Sequence, residues 1–305
     1  MTSLRDIVNK IDDHLYFGNY RSATDEQTLN KHSINRVLTL MSGGIPEYKR
    51  YPNIEYFTVE VNDDINEDLL THLEITRQVI AEGHRKGQNV LVHCAAGISR
   101  SGAAVTAFIM HKYRKTFDEA IEMIVLRRPL AGPNRGFKVQ LRLYEQLDYT
   151  LDANNPKLRQ YLLDRFVVSN RFDSYYDRLK YIESLSTPQY GQQYLCRQCN
   201  QLVFHDIHVI QNSSIVDNND TNNNTTKCSD LYIEPQIWMK KLICHQYYML
   251  DSDSQSSPTC PLKCLHCQQT IGSYKQHFST FECNCDLHRG LSCLQFKIDL
   301  QSLSK

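Results

Sequence analysis

One run of the chain, His93-Cys94-Ala95-Ala96-Gly97-Ile98-Ser99-Arg100-Ser101-Gly102, joins a thiol to a guanidinium six residues away. The run falls between an apolar strand pattern and the start of a helical one. A loop entering a helix turns successive backbone N–H groups toward one point, and the helix dipole adds positive potential there. Such a nest binds a phosphate dianion, and the same field lowers the pKa of a cysteine at its base. Gly97 allows the tight backbone. Arg100 adds a planar fork that can grip two phosphate oxygens. The amides of Ala95, Ala96, Gly97, Ile98 and Ser99 complete the phosphate-binding set with Arg100. The Ser101 hydroxyl could donate toward the Cys94 sulfur, or be merely a first-turn helix serine. His93 could fix the loop by bonding to backbone, or simply pack in the strand. The chemistry is nucleophilic attack on a phosphoryl group, with Cys94 and Arg100 as its centre.

A second constellation lies far downstream. Of eleven cysteines only Cys94 precedes residue 196; the other ten lie between Cys196 and Cys293. Cys196-Arg-Gln-Cys199, Cys264-Leu-His-Cys267 and Cys283-Asn-Cys285 have metal-ligand spacing, because a two-residue gap lets both sulfurs of a turn reach one tetrahedral ion. With Cys228 these make seven candidate ligands. Two closed sites need eight, so two structural zinc ions are expected, with His208 as the eighth ligand and His205, Cys244, Cys260 and Cys293 as alternatives. Disulfides would conflict with a catalytic thiolate in the same chain. No metal or other cofactor is expected for the phosphoryl chemistry. The sequons at Asn212, Asn219, Asn223 and Asn224 lie in an Asn-rich stretch, where they arise by composition.

The elements that must position these groups can be read from periodicity. Leu15–Gly18, Arg36–Leu40 and Ile54–Val59 read as strands, and Asn89–His93, apolar without alternation, as a strand buried on both faces. Helical patterns run over Glu67–Lys86, Ser101–Met110, Phe117–Leu126 and Phe137–Leu147. Alternating strands and helices make residues 1–150 an α/β domain. Residues 151–190 read as a polar connector with one helix near Lys157–Phe166. Residues 191–305 read as a small cysteine-rich domain, β-rich and stabilised by zinc. It is interrupted by a polar tract, Asp217–Thr226, that cannot bury a core. Trp238 reads as core of that small domain.

The chain has 305 residues, enough for two domains, and its 34 acidic and 34 basic side chains balance. Net charge therefore implies no nucleic-acid or membrane partner. No apolar run is long enough to span a bilayer. The N-terminus carries no apolar signal core, so a cytoplasmic and nuclear location is expected.

The phosphate loop resembles the Cys-x5-Arg signature of the protein tyrosine phosphatase superfamily. Its Ala-Gly-Ile-Ser-Arg-Ser form is similar to the dual-specificity branch. Leu15-Tyr16-Phe17-Gly18-Asn19, Arg128-Pro129 and Pro133-Asn134-Arg135-Gly136-Phe137 add to the likeness over residues 8–150. That resemblance implies a tyrosine-phosphatase-like mixed sheet flanked by helices. It also implies hydrolysis of phosphotyrosine and phosphoserine/threonine through a phosphocysteine. The family's general acid is an aspartate on a loop about 30 residues upstream. Of Asp63 and Asp64, the family's spacing to the next helix selects Asp64, with Asp68 read as a helix cap. Ala95, Ala96 and Ile98 put no basic side chain in the loop, which favours phosphoprotein substrates over highly charged phosphoinositides or RNA ends.

The order of elements resembles the subfamily with a C-terminal zinc-binding domain. Ile233-Glu234-Pro235-Gln236-Ile237-Trp238-Met239 and Ile271-Gly272-Ser273-Tyr274 are similar to segments of it. The subfamily's histidine ligand falls later than His208, near Asn212. The resemblance also implies an alternative role: assembly factor in large ribosomal subunit maturation, binding pre-ribosomal particles through the zinc domain.

Overall fold

The computed structural model describes residues 8–169, 172–210, 231–242, 259–275 and 296–305. Contacts divide the chain into two compact units, Met1–Leu151 and Asp152–Lys305.

In the first unit a five-stranded sheet has the order β1 (Val8–Asp12), β2 (Leu15–Asn19), β5 (Asn89–Cys94), β3 (Ile34–Leu40), β4 (Glu55–Val59). The hairpin β1–β2 is antiparallel and every other pair is parallel, so the sheet is mixed. β5 is hydrogen-bonded on both sides, to β2 and β3. Val90, Leu91 and Val92 are fully buried on its two faces, which is why the strand is apolar without alternation. One face of the sheet buries Val8, Tyr16, Val37 and Leu91 with Leu29 of α1 (Glu26–Lys31). Four longer helices complete the unit: α2 (Leu73–Arg85), α3 (Arg100–Tyr113), α4 (Phe117–Arg127) and α5 (Arg135–Gln146). Every residue of α3 from Ser101 to Met110 is buried. α3 therefore has no polar face and sits enclosed among α2, α4, α5 and β5.

Two local predictions differ from what is found. The helix expected from Glu67 begins at Leu73, after a 3-10 turn over Leu70–His72. Asp68 accepts from Thr71 N at 3.3 Å and from its hydroxyl at 2.7 Å, holding that turn rather than capping α2. The hairpin strand β1 is not marked by the sequence pattern.

The second unit opens with two helices, α6 (Pro156–Ser169) and α7 (Phe172–Leu185), where the sequence pattern predicts one within a connector. Both belong to the cysteine-rich unit. Arg159 of α6 donates through Nε to Glu234 Oε1 at 2.7 Å, and Tyr175 of α7 donates to Glu234 Oε2 at 2.6 Å. All three side chains are buried. A buried carboxylate is tolerated only when paired and hydrogen-bonded, so this triad ties the helices to the segment that carries Glu234.

The rest of the unit is β-rich. A three-stranded sheet has the order β12 (Leu303–Ser304), β6 (Gln193–Cys196), β7 (Leu202–His205). A four-stranded sheet has the order β8 (Leu231–Ile233), β11 (Phe296–Ile298), β10 (Thr270–Lys275), β9 (Thr259–Lys263). Trp238 is half-buried, with its indole N–H bonded to Val203 O at 3.0 Å. Among the described residues no helix is long and apolar enough to cross a membrane. The polar tract 217–226 lies outside the described residues.

Candidate active site

β5 ends at Cys94 and α3 begins at Arg100, so the phosphate loop is the whole of the strand-to-helix connection. Its shape depends on Gly97, which has φ +67°. A Cβ there would lie 2.4 Å from Gly18 O and 2.8 Å from Arg128 Nη2. Only glycine lets the loop press against the end of β2. Tyr20 N donates to Ala95 O at 3.1 Å and Gly132 N to Ile98 O at 3.1 Å, pinning the loop from two sides. Arg128, buried beneath it, donates through Nε to Gly97 O at 2.9 Å and through Nη1 to Asn9 Oδ1 at 2.6 Å.

The thiol of Cys94 is buried. Burial pushes its pKa up. The Ser101 hydroxyl, 3.1 Å from Sγ, and the amides of Ser101, Ile98 and Gly97 outweigh that, so the net shift is downward. These donors converge on the sulfur and favour its charged form. His93 is fully buried. Its Nδ1 faces Cys94 O at 3.3 Å and its Nε2 faces the Thr39 hydroxyl at 2.8 Å. A carbonyl can only accept, so Nδ1 carries the proton and Nε2 accepts from Thr39. Burial holds the His93 pKa down at about 4, so the ring is neutral and braces the backbone of the cysteine. Arg100 donates through Nη1 to Val61 O at 3.3 Å, while its buried Nε finds no acceptor within hydrogen-bond reach. That orphaned donor and its fork are placed to take phosphate oxygens.

The two candidate acids are separated by their surroundings. Asp63 Oδ1 accepts from the Ser99 hydroxyl at 2.6 Å and from Asn134 Nδ2 at 2.9 Å, and Oδ2 lies 3.8 Å from Arg100 Nε. Asp64 turns its carboxylate to Asn66 N at 2.7 Å. The structure thus brings Asp63, not the expected Asp64, to the phosphate loop. The acid loop is held from behind by α5. Gln140 Oε1 accepts from Leu69 N and Leu70 N, each at 2.8 Å, and its Nε2 donates to Glu67 O at 2.7 Å. At Gly136 a Cβ would stand 1.9 Å from Ile65 O. The sequence does not mark Thr39, Arg128, Asn134 or Gln140 as site residues. For the last two the signals are the place of Asn134 at a helix start within the Pro133-Asn134-Arg135-Gly136-Phe137 run, and a Gln on an apolar helix face.

A family model described as the dual specificity phosphatase catalytic domain matches residues 15–147. Dual specificity protein phosphatase 22-B of Danio rerio is 31% identical over 138 residues, which cover 45% of this chain and 74% of that protein. This chain belongs to the dual-specificity phosphatase family. That family is a set of phosphoric monoester hydrolases, and buried Cys94 sits as its reactive cysteine would. The likeness extends past the phosphatase domain. Dual specificity protein phosphatase 12 of Homo sapiens is 28% identical over 298 residues, 89% of this chain and 81% of that protein. Tyrosine-protein phosphatase yvh1 of Schizosaccharomyces pombe is 27% identical over 303 residues, 97% of this chain and 86% of that protein.

The chain also carries a candidate metal centre. The sulfurs of Cys196, Cys199, Cys264 and Cys267 all lie within 4.8 Å of one another. Cys196–Cys267 and Cys199–Cys264 are each 3.6 Å apart. A disulfide needs about 2.05 Å. A tetrahedron with Zn–S bonds of about 2.3 Å has sulfur–sulfur edges of about 3.8 Å. The set therefore fits one tetrahedral ion.

Two matching turns build it. Cys196 N donates to Gln201 O at 2.8 Å and Asn200 N to Cys196 O at 2.7 Å, with Asn200 at φ +56°. Cys264 N donates to Gln269 O at 2.8 Å and Gln268 N to Cys264 O at 3.1 Å, with Gln268 at φ +62°. Each turn closes a hairpin, β6–β7 or β9–β10. His208 is not one of the four: its Nδ1 accepts from His205 N at 3.1 Å. Cys260 is also outside the set. Cys228, Cys244, Cys283, Cys285 and Cys293 lie outside the described residues.

Proposed function

We propose that this chain hydrolyses phosphotyrosine and phosphoserine/threonine in proteins by a two-step, phosphocysteine mechanism. The observation that carries the reading is the ring of donors around Cys94 Sγ, with Arg100 opening the next helix. The thiolate attacks phosphorus. The loop amides and the Arg100 fork hold the equatorial oxygens as charge builds on them. Asp63, facing the loop, protonates the departing alkoxide or phenoxide, which is otherwise a poor leaving group. The resulting Asp63 carboxylate then takes a proton from the water that attacks the phosphocysteine. Ser101 donates to the sulfur as it leaves as thiolate.

The substrate class is supported by the loop side chains. Ala95 and Ala96 are exposed and uncharged, and Ile98 is apolar, so nothing between Cys94 and Arg100 selects a multiply charged ligand. For the four-cysteine cluster the reading is a structural zinc ion, which satisfies four thiolates without redox chemistry. A second ion would draw on Cys228, Cys283 and Cys285.

The test is turnover of p-nitrophenyl phosphate and of phosphopeptides by the purified chain. Cys94→Ser is expected to abolish both. Arg100→Lys is expected to lose at least about a hundredfold, because a point charge cannot replace the two-pronged grip. Near-normal turnover by Cys94→Ser would sink the assignment.

A further inference from the structure

Asp63 is not held by backbone alone. Its Oδ1 is gripped by two side chains from different elements, Ser99 of the phosphate loop and Asn134 at the start of α5. The hydrogen-bond directions around Ser99 are forced. Its oxygen accepts from Asn134 N at 3.1 Å, so its only proton is free to point at Asp63 Oδ1, 2.6 Å away. Asn134 is forced in the same way. Its Oδ1 is committed to Phe137 N at 2.9 Å, capping α5. The other end of that amide is therefore NH2, and it points at the same Asp63 oxygen at 2.9 Å. Ser99 is buried, so water does not compete freely for its hydroxyl.

A carboxyl oxygen facing two donors cannot also carry a proton, since hydrogen would meet hydrogen. We infer that Ser99 and Asn134 are positioning residues that decide which oxygen of Asp63 handles the proton. They block Oδ1 and leave Oδ2, the oxygen nearest Arg100, to protonate the leaving group and later to deprotonate water. This rests on Asp63 being the general acid. It adds that the phosphate loop itself aims the acid, through a side chain whose neighbours bind phosphate by backbone. Without the Ser99 donor the carboxyl can turn, and both the direction of Oδ2 and the identity of the protonated oxygen are lost. Small misplacements of a catalytic group cost rate steeply.

The experiment measures kcat/KM, which reports the phosphoryl-transfer step alone, for a series of aryl phosphates that differ only in leaving-group pKa. It uses the full chain as wild type, Ser99→Ala, Ser99→Thr, Asp63→Asn and the Ser99→Ala/Asp63→Asn double variant. General-acid loss costs about a hundredfold or more with poor leaving groups, and Asp63→Asn is expected to show it. For Ser99→Ala the loss is expected to be about tenfold greater with phenyl phosphate than with the best leaving group. Ser99→Thr, which keeps the hydroxyl, should restore the wild-type slope. The double variant should lose no more than Asp63→Asn, because Ser99 acts through the acid. A Ser99→Ala loss that is uniform across the series, or that persists undiminished in the Asp63→Asn background, would overturn the proposal and make Ser99 a support of the phosphate loop only. A flat series for Asp63→Asn would overturn the acid assignment itself, and the positioning role with it.

Discussion

Cys94 and His93 are neighbours at the end of β5, both buried, and their protonation is pushed in ways that suit opposite duties. The thiol is surrounded by donors that favour its anion, so its pKa falls despite burial. The imidazole is surrounded by a carbonyl and a hydroxyl and is held neutral, with a pKa of about 4. That depressed value has a consequence for stability. Between about pH 6.5 and pH 4 the unfolded chain takes up a proton at this histidine and the folded chain does not. Stability from this group is therefore complete above about pH 6.5 and is lost as pH falls toward 4, by up to about 1.4 kcal/mol per pH unit. Urea unfolding followed across this range should show His93→Asn with a shallower acid slope than the wild type. Equal slopes would mean that His93 is not held neutral by the fold.

Among the elements, the ones legible in the sequence are those whose residue types leave no alternative. A strand like Val90-Leu91-Val92 can only be central, and a loop with Cys94, Gly97 and Arg100 at that spacing has one geometry. What the sequence hides are partners remote along the chain. Asp63 and Asp64 sit in an irregular loop where adjacent side chains diverge, and spacing alone does not tell which one faces Ser99. The distinction is made by Asn134, 71 residues away. Helix α7 is hard to see in the sequence, although Tyr175, Leu179 and Ile182 fall at helical spacing and are buried. Its exposed residues are polar enough to look like a connector. The spacing marks Cys196 with Cys199 and Cys264 with Cys267 as ligand pairs, but that the two pairs share one site shows only in the fold. Neither turn has the glycine that usually marks a left-handed position; Asn200 and Gln268 take it. Both turns are held shut at the cluster, so removing metal should open them together. Elemental analysis of the reduced chain should find bound zinc. Chelation should then change the near-ultraviolet circular dichroism of the tyrosines around β6 and β10, and Cys264→Ser should do the same without chelator. Zinc-free protein with an unaltered spectrum would rule out a structural metal.

The molecule as a whole separates the two chemistries. Cys94, Arg100, Ser101 and Asp63 lie in the unit Met1–Leu151, and the four-cysteine cluster lies in Asp152–Lys305. The first unit has its own core around the sheet and the enclosed helix α3. The described part of the second buries apolar side chains of its own, among them Leu158, Phe204, Ile233 and Phe296. It is held by a buried Arg159–Glu234–Tyr175 triad and by cysteines that fit an ion. In the first unit, the proposed phosphoryl transfer runs through the sulfur of Cys94. The most direct measurement is rapid acid quenching of the full chain during turnover of p-nitrophenyl phosphate, followed by mass spectrometry of its peptides. One added phosphoryl group is expected on the peptide bearing Cys94, accumulating when Asp63→Asn slows the second step and absent from Cys94→Ser. Turnover with no phosphorylated Cys94 peptide at any quench time, or the same added mass in Cys94→Ser, would contradict it.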